Sequence, residues 1–181
     1  MRAMTSEHGL LGGYVRGGRS RTMRPILMPS NVVIAEFRAR TEDQLAGLTV
    51  ELVHSRAPLM GEPLAASALE WSTALTAAAL PEGQGYPRIF DALEGVLGAI
   101  EMAPAARGWA VALAHYEALL LGALGYGGSA PLLDSDAGWP AIIGALRDNR
   151  VALDAHIFAE RRIDVIAARD RLVERLKRAV A

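Results

Sequence analysis

Arginine and glycine residues are concentrated in one short segment that could bind phosphate groups. This Arg-Gly segment, residues 16–24, reads Arg-Gly-Gly-Arg-Ser-Arg-Thr-Met-Arg. Glycine lets the backbone approach a ligand closely, and each guanidinium group can donate two parallel hydrogen bonds to phosphate oxygens. The residues that we expect to contact a polyanion are Arg16, Gly17, Gly18, Arg19, Arg21 and Arg24. A solvated surface turn is the alternative interpretation of the same composition.

Two further arginines and one tyrosine could extend this basic surface. Arg38 and Arg40 lie on the polar face of a later predicted strand, and Tyr14 comes shortly before the first arginine of the segment. Aromatic rings stack on bases in proteins that bind single-stranded nucleic acid. A position in the protein core is the alternative interpretation of Tyr14.

The same segment also fits the pattern of a phosphate-binding loop, with Arg19 in the place of the usual lysine. Such a loop leads directly into a long helix, whose first N–H groups hold the phosphates. Here Pro25 and Pro29 follow shortly afterwards, and a strand is predicted next. The sequence therefore argues against nucleotide hydrolysis, and an enzyme acting on a phosphorylated small molecule is only a third hypothesis.

Other residues that catalysis or metal binding would need are absent or scattered. The chain has no cysteine, which excludes disulfides, thiolate nucleophiles and cysteine-based zinc sites. No two of its histidines have the spacing of metal ligands on one helix face: His8, His54, His115 and His156. The sequence therefore predicts no metal site, no cofactor and no enzymatic activity.

The charge of the chain is unevenly distributed, although the net charge is only −1. Residues 1–56 carry a net charge of +3, residues 57–157 carry −7, and residues 158–181 carry +3. Basic segments attract nucleic acid because binding releases the counterions condensed on the phosphates. No apolar run is long enough to cross a bilayer. We expect a cytoplasmic protein that does not contact a membrane.

The first part of the chain has the alternating pattern of β-strands. Apolar and polar residues alternate over Asn31–Arg40 and Gly47–His54, which predicts two half-buried strands. Leu10–Arg16 and Arg2–Thr5 are further candidate strands, separated from the others by turns rich in glycine, proline and serine. Short antiparallel strands in so few residues predict a small barrel or curled sheet over residues 1–57.

After Pro58 the apolar residues recur at helical spacing, so residues 58–181 are predicted to form an all-α domain. Six helical segments are predicted: Leu64–Ala79, Pro87–Ile100, Trp109–Ala123, a segment starting at Trp139-Pro140, Val151–Phe158 and Val165–Val180. Their short connections indicate a helical bundle. The predicted fold class is therefore α+β, with a small β-domain followed by a helical domain. The basic face of the last segment is interpreted as solvated rather than as a DNA contact.

Several of these motifs together resemble one family, the alphaproteobacterial RecO proteins. The N-terminal similarity lies in Glu7-His8-Gly9, in Tyr14 to Arg21, in Arg24-Pro25 and in the strand containing Leu48 to Val53. The helical part is similar in Tyr116 to Leu120, in Leu124 to Gly127 and in Ala167 to Val173. The resemblance covers nearly the whole chain, and its most specific part is the sequence Val-Arg-Gly-Gly-Arg-Ser-Arg after Glu-His-Gly.

This resemblance implies an OB-fold followed by a helical domain, in a non-enzymatic DNA repair protein. Such a protein binds single- and double-stranded DNA, anneals complementary strands, and works with RecR and RecF to load RecA onto DNA coated by single-strand-binding protein. The Arg-Gly segment then lies in the OB-fold region expected to meet DNA, with Arg38 and Arg40 as weaker candidates. A scaffold that binds proteins through the helical domain, with little DNA binding, is the alternative.

Two features depart from the usual pattern of this family. Relatives carry a further strand and turn before the position of Met1, so the resemblance implies a barrel that lacks its first strand and has an unpaired edge. Many relatives also have a cysteine-rich zinc-binding insertion after the third helix of the bundle. Here Gly127 leads almost directly to Asp134 and Trp139. We therefore expect a short, zinc-free form.

Overall fold

Short strands form the first part of the chain, as the alternating pattern predicts. This computed structural model describes residues 1–39, 44–103, 105–127, 133–159 and 164–180. The strands within these residues are β1 (Arg2–Thr5), β2 (Gly9–Gly12), β3 (Tyr14–Val15), β4 (Val32–Arg38) and β5 (Gly47–His54). The predicted strand Leu10–Arg16 is divided into two parts at Gly13, and the other predicted strands are confirmed to within two residues at each end.

The strands pair in two small sheets that meet at Gly13. β1 and β2 form an antiparallel hairpin, while β3, β5 and β4 form a second sheet in that order. β3 is parallel to β5, and β4 is antiparallel to it. The Gly13 N–H donates to the Met1 carbonyl at 3.0 Å, and the next N–H, that of Tyr14, donates to the Ala46 carbonyl at 2.8 Å. One continuous stretch of chain therefore pairs first with β1 and then with β5.

The α+β fold class is confirmed, but the described strands do not form a closed barrel. β1 is an outer strand of the hairpin and β4 is an outer strand of the second sheet, and no ladder joins them within the described residues. The two sheets are linked because the stretch through Gly13 changes partner along its length. Of the OB-fold prediction, the described residues show short strands but no closed barrel.

The rest of the described chain is mainly helical. One short helix lies between β3 and β4, and the longer helices follow β5. They are α1 (Met23–Ile26), α2 (Pro63–Ala79), α3 (Pro87–Met102), α4 (Ala106–Ala123), α5 (Trp139–His156) and α6 (Asp164–Val180), with a 3₁₀ helix at Ala57–Gly61. The prediction of a separate helix over Val151–Phe158 is wrong, because α5 continues to His156. Asn149 does not interrupt α5, since its side-chain amide donates to the Ala114 carbonyl at 2.9 Å in the core.

Helices α2 to α6 bury one apolar core. α2 lies against α3 and α6, and α4 lies against α3 and α5. Proline in the first turn begins α2 and α3. Gly125, with φ of +84°, follows the end of α4. There the Tyr126 N–H donates to the Leu121 carbonyl at 2.8 Å, which satisfies an otherwise free carbonyl of the last turn.

The β1–β2 hairpin packs against the helices. Leu10 of β2 is buried in the same apolar cluster as the helical residues, and its carbonyl accepts a hydrogen bond from the Gly83 N–H at 2.9 Å. The Arg2 guanidinium donates to the Ala77 carbonyl of α2 at 2.7 Å. The domain boundary after residue 57 stays a prediction. Within the described residues, no helix is long and apolar enough to span a bilayer.

Candidate nucleic-acid interface

The Arg-Gly segment lies on the surface between β3 and β4. The side chains of Arg16, Arg19, Arg21 and Arg24 are all exposed. None of them forms an ion pair with an acidic side chain of the described residues, whereas Arg2, Arg38 and Arg171 each do. Four cationic groups within nine consecutive residues, without acidic partners among the residues that the structure describes, create a positive potential that attracts an external anion.

Local hydrogen bonds give the segment a defined backbone shape. Gly17 has φ of +69°, a left-handed conformation that glycine adopts without steric cost. The Gly18 N–H donates to the Val15 carbonyl at 3.2 Å, and the Ser20 N–H donates to the Gly17 carbonyl at 2.8 Å. An added Cβ at Gly17 would meet no atom within 4 Å, so the bend is open to a ligand on that side.

The segment continues into α1 and not directly into β4 as the sequence predicted. Ser20 stabilises the turn before this helix, because its Oγ accepts a hydrogen bond from the N–H of Met23, the first helical residue, at 3.2 Å. Asn31 stabilises its end by donating from Nδ2 to the Pro25 carbonyl at 2.8 Å and to the Ile26 carbonyl at 3.1 Å. A helix of four residues is too short to hold phosphates as a phosphate-binding loop does. It leaves the arginines exposed.

Arg38, one of the two weaker candidates, forms an ion pair with an acidic side chain, unlike the four arginines of the Arg-Gly segment. Arg38 Nη2 lies 2.9 Å from Glu36 Oε1, and Nε lies 3.1 Å from the same oxygen. Both residues are exposed on the same face of β4, so Glu36 neutralises much of the positive charge that Arg38 could offer to DNA. Arg40 lies outside the described residues.

Tyr14 is 62% exposed, so the alternative interpretation of this residue as a core residue is wrong. The alternation within β3 explains the exposure, because the neighbouring Val15 is the buried residue of that pair. Tyr14, Gly17 and Arg19 all line one edge of a groove of about 1320 Å³. We call it the sheet–helix groove, because its walls are the inner face of β4, the hairpin strand β1 and helices α2 and α3.

Arg56 is a buried arginine that the sequence analysis did not single out. Its side chain is 5% exposed and connects the strands to α3. Arg56 Nη1 donates to the Ser30 carbonyl at 2.6 Å, and Nε donates to Glu101 Oε2 at 3.1 Å. His54 Nε2 lies 2.8 Å from the other oxygen of Glu101. Nothing in the sequence around Arg56, which follows the end of β5, distinguishes it from an exposed arginine.

A second buried charge lies in the helical core. Glu117 accepts hydrogen bonds from Arg169 Nε at 2.8 Å and Arg169 Nη2 at 2.7 Å. Trp71 Nε1 donates to the same carboxylate at 2.8 Å, and Asn149 Nδ2 donates at 3.2 Å. The four residues come from α2, α4, α5 and α6. Glu117 and Arg169 each belong to one of the three helical motifs that carry the family resemblance. Two of those motifs therefore meet in this network.

A polar pair beside this network involves the hydroxyl of Tyr116. It lies 2.5 Å from Thr76 Oγ1, so α4 and α2 are joined within the core. Burial raises the pKa of Tyr116 well above its usual value, and the hydrogen bond with Thr76 opposes this shift only in part. The hydroxyl is therefore neutral at physiological pH. In the part of the chain that the structure describes, no three His, Cys, Asp or Glu side chains are grouped as a metal site would need.

Comparison with known proteins connects this arrangement to one family. Residues 60–138 match a family model described as Recombination protein O C terminal. A DNA repair protein RecO from Gluconacetobacter diazotrophicus is 42% identical over 127 residues, which cover 68% of this chain and 50% of that protein. A DNA repair protein RecO from Rhodospirillum centenum is 31% identical over 220 residues, which cover 97% of this chain and 86% of that protein. The chain belongs to the RecO family.

This RecO-family chain matches only part of the length of its relatives. It spans about half the length of the first curated relatives it matches, such as the RecO proteins of Gluconacetobacter diazotrophicus and Phenylobacterium zucineum, at 50% each. The alignment with the Rhodospirillum centenum RecO extends over 220 positions, more than the 181 residues of this chain. That RecO therefore contains internal segments that have no counterpart here.

Proposed function

We propose that this chain acts in DNA repair and recombination as a non-enzymatic mediator of the RecO type. It binds single- and double-stranded DNA and anneals complementary strands. Together with RecR and RecF, it assists the loading of RecA onto DNA coated by single-strand-binding protein, in the cytoplasm and at the nucleoid. Membership of the RecO family supports the role in repair. The direct contact with DNA is supported by the exposed, unpaired arginines of the Arg-Gly segment.

The chemistry of the segment favours binding to the DNA backbone over reading of base sequence. Guanidinium groups form paired hydrogen bonds with phosphate oxygens, and such contacts position DNA without distinguishing bases. The open bend at Gly17 lets phosphates approach the backbone closely. The exposed ring of Tyr14 offers a stacking surface for an unpaired base. Single-stranded DNA can use both the arginines and the ring, and double-stranded DNA only the arginines.

We further propose that the strands of residues 1–57 represent an OB-type domain that is open between β1 and β4. The parallel pairing of β3 with β5 and the antiparallel pairing of β5 with β4 support a Greek-key arrangement of this kind. The Arg-Gly segment connects β3 to α1 at the rim of this domain. OB-folds bind oligonucleotides on the face of their second and third strands and on two of their loops, and the Arg-Gly segment directly follows β3.

The salt dependence of DNA binding tests the role of the four arginines. We expect the variant R16A/R19A/R21A/R24A to bind a labelled oligonucleotide more weakly and with a smaller dependence of log Kd on log salt concentration. Each lost phosphate contact lowers this slope by about 0.7 on single-stranded DNA and about 0.9 on double-stranded DNA. Fluorescence anisotropy over a salt series measures both quantities.

A matched control separates a specific contact from a general change of charge. Arg88 and Arg107 are exposed on the helices and form no ion pair within the described residues. The variants R19A/R21A and R88A/R107A therefore remove equal charge from different surfaces. Only R19A/R21A is expected to reduce the slope. Equal effects of the two variants, or an unchanged slope in the quadruple variant, would remove the Arg-Gly segment from the DNA interface.

The acidic helical part favours a second candidate function, a scaffold that binds partner proteins with little DNA contact. Residues 57–157 carry a net charge of −7, which repels DNA from that part of the chain. Binding assays with purified RecR and single-strand-binding protein distinguish the two candidates. Retained binding to either protein, together with no measurable DNA affinity at low salt, would favour the scaffold.

A further inference from the structure

One row of residues across the three-stranded sheet has a gap in its middle. Tyr14 of β3 pairs with Gly47 of β5, and Gly47 pairs on its other side with Arg38 of β4. All three residues are exposed, whereas Val15 and Leu48 in the next row are buried. Successive side chains of a strand point to opposite faces. The side chains of Tyr14 and Arg38 therefore share the outer face of the sheet, and the glycine places no side chain between them.

The gap above Gly47 has a width that suits one flat ring system. Neighbouring strands lie about 4.8 Å apart, so the backbones of Tyr14 and Arg38 are separated by about 10 Å. A base held between two planar groups needs about 7 Å between their planes, twice the rise of one nucleotide in a DNA strand. Apart from its chain neighbours, an added Cβ at Gly47 would meet only the Arg38 carbonyl oxygen among the described residues, at 3.6 Å. The gap is therefore open to a ligand.

The two side chains beside the gap both have flat faces on which a base can stack. The ring of Tyr14 is 62% exposed. Arg38 donates from Nε and Nη2 to the same oxygen of Glu36, and its side chain stays 76% exposed. The N–H groups of a guanidinium lie in its plane, so this ion pair orients Arg38 from the edge and leaves its faces open. Aromatic rings and guanidinium planes are the groups on which proteins stack unpaired bases.

We propose that one unpaired base of single-stranded DNA enters this gap, which we call the base slot, between the Tyr14 ring and the Arg38 guanidinium. The base slot depends on the proposed binding of DNA, because the Arg-Gly segment begins two residues after Tyr14 and holds the phosphates of the same strand. Glu36 neutralises Arg38, so this position suits an uncharged base better than a phosphate. A base inside a duplex is covered by its neighbours and does not enter. The slot therefore selects single-stranded over double-stranded DNA.

An abasic strand tests the occupant on the unmodified chain. Fluorescence anisotropy compares the affinities for an oligothymidine, an abasic strand of the same length, and the oligothymidine paired with oligoadenosine. We expect the oligothymidine to bind at least about fivefold more tightly than the abasic strand, because stacking one base contributes about this factor or more. Equal affinities would overturn the base slot and leave the phosphate contacts of the Arg-Gly segment in place. Binding to none of the three probes would overturn both proposals, so the two failures are distinguishable.

Two variants remove the base slot without changing the charge of the chain. Gly47→Val fills the gap with a side chain that suits a β-strand, and Tyr14→Ala removes one wall. We expect each variant to reduce the preference for oligothymidine over the abasic strand to less than twofold and to keep its affinity for the duplex, which also shows that it is folded. A preference that survives in both variants would overturn the proposal.

Matched controls place the same changes elsewhere on the surface. Thr49→Val introduces a valine at the next exposed position on the same face of β5, and Tyr126→Ala removes another exposed tyrosine. Both controls should keep the full preference for oligothymidine. Loss of the preference in the controls as well would contradict a slot at Gly47.

Substitutions of Arg38 separate stacking from charge. Arg38→Lys keeps the positive charge but has no planar face, and we expect it to lower the preference for oligothymidine at least threefold. Arg38→Trp has a flat face without charge and should retain the preference. If the lysine variant kept the preference and the tryptophan variant lost it, Arg38 would act through its charge, and the base slot would be wrong.

Discussion

Burial divides the arginines of this chain into groups with different roles. Arg56 and Arg169 are almost fully buried, and each donates to a carboxylate and to a backbone carbonyl. Arg16, Arg19 and Arg21 are exposed and have no acidic partner among the described residues. A buried guanidinium needs such partners because its desolvation costs several kcal/mol. The buried group therefore supports the fold, and the exposed group is available to a ligand.

The ion pair between Glu117 and Arg169 gives a prediction at the residue scale. Glu117→Gln leaves the buried Arg169 without a counter-charge, and breaking a buried pair in this way costs about 3–5 kcal/mol. We expect a loss of that size in the free energy of unfolding, measured by urea denaturation. The control Glu70→Gln removes an exposed partner of Arg171, 3.7 Å away, and should cost less than about 1 kcal/mol. Similar losses in both variants would contradict this view of the core.

Gly13 controls how the strands connect. It has no room for a side chain, since an added Cβ would lie 1.7 Å from Leu48 Cδ1 and 3.0 Å from the Ala46 carbonyl oxygen. The close approach lets one stretch of chain leave β1 and join β5. A β-strand pattern with glycine inside it indicates such a bend or bulge, but the sequence does not indicate which strands lie on either side.

The close packing at Gly13 gives a prediction at the element scale. Gly13→Ala forces Leu48 to move, and overpacking of this kind costs about 1–3 kcal/mol. We expect a corresponding fall in stability to urea. The matched control is Gly95→Ala, because an added Cβ on Gly95 in α3 meets no atom within 4 Å. Alanine favours a helix over glycine by up to about 1 kcal/mol, so this control should gain stability. If Gly13→Ala left the stability to urea unchanged, the strands would not approach each other as closely as described.

Arg56 couples the two parts of the molecule, because it bonds to the turn before β4 and to α3. The only described residue other than glycine with a positive φ is Ser30, at +72°, and its carbonyl accepts from Arg56. The Asn31 Oδ1 also accepts from the Arg56 N–H, at 3.1 Å. Arg56 therefore helps to hold the turn before β4 against α3.

The role of Arg56 gives a prediction at the scale of the whole molecule. Arg56→Met keeps an apolar stem but removes charged hydrogen bonds, each worth about 1.5–3 kcal/mol. We expect amide exchange in β4 to become about ten- to hundredfold faster, while α4 exchanges as before. Hydrogen–deuterium exchange measures both elements in one experiment. Arg38→Met, which removes an exposed ion pair, is the control and should leave both unchanged. Equal acceleration of β4 and α4 would indicate global destabilisation instead.

The sequence by itself determined the type and order of most elements in this chain. Alternation at Gly47–His54 and proline at the start of α2 and α3 are local signals, since they depend only on neighbouring residues and on backbone geometry. The same holds for Gly125 after α4. The exposure of the Arg-Gly segment also followed from its composition. The one-turn helix α1 and the uninterrupted α5 were missed, because short helices and tolerated polar residues carry weak local signals.

Only the tertiary structure decided which groups meet across the chain. Glu117 and Arg169 are far apart in sequence, and neither residue type indicates burial by itself, because the stability of a buried charge depends on partners from other helices. The ion pair between Glu36 and the predicted site residue Arg38 forms through a contact that strand spacing allows but does not require. The alternating pattern identifies strands but does not show which of them pair. The unpaired outer edges of β1 and β4 therefore follow only from the strand order in the structure.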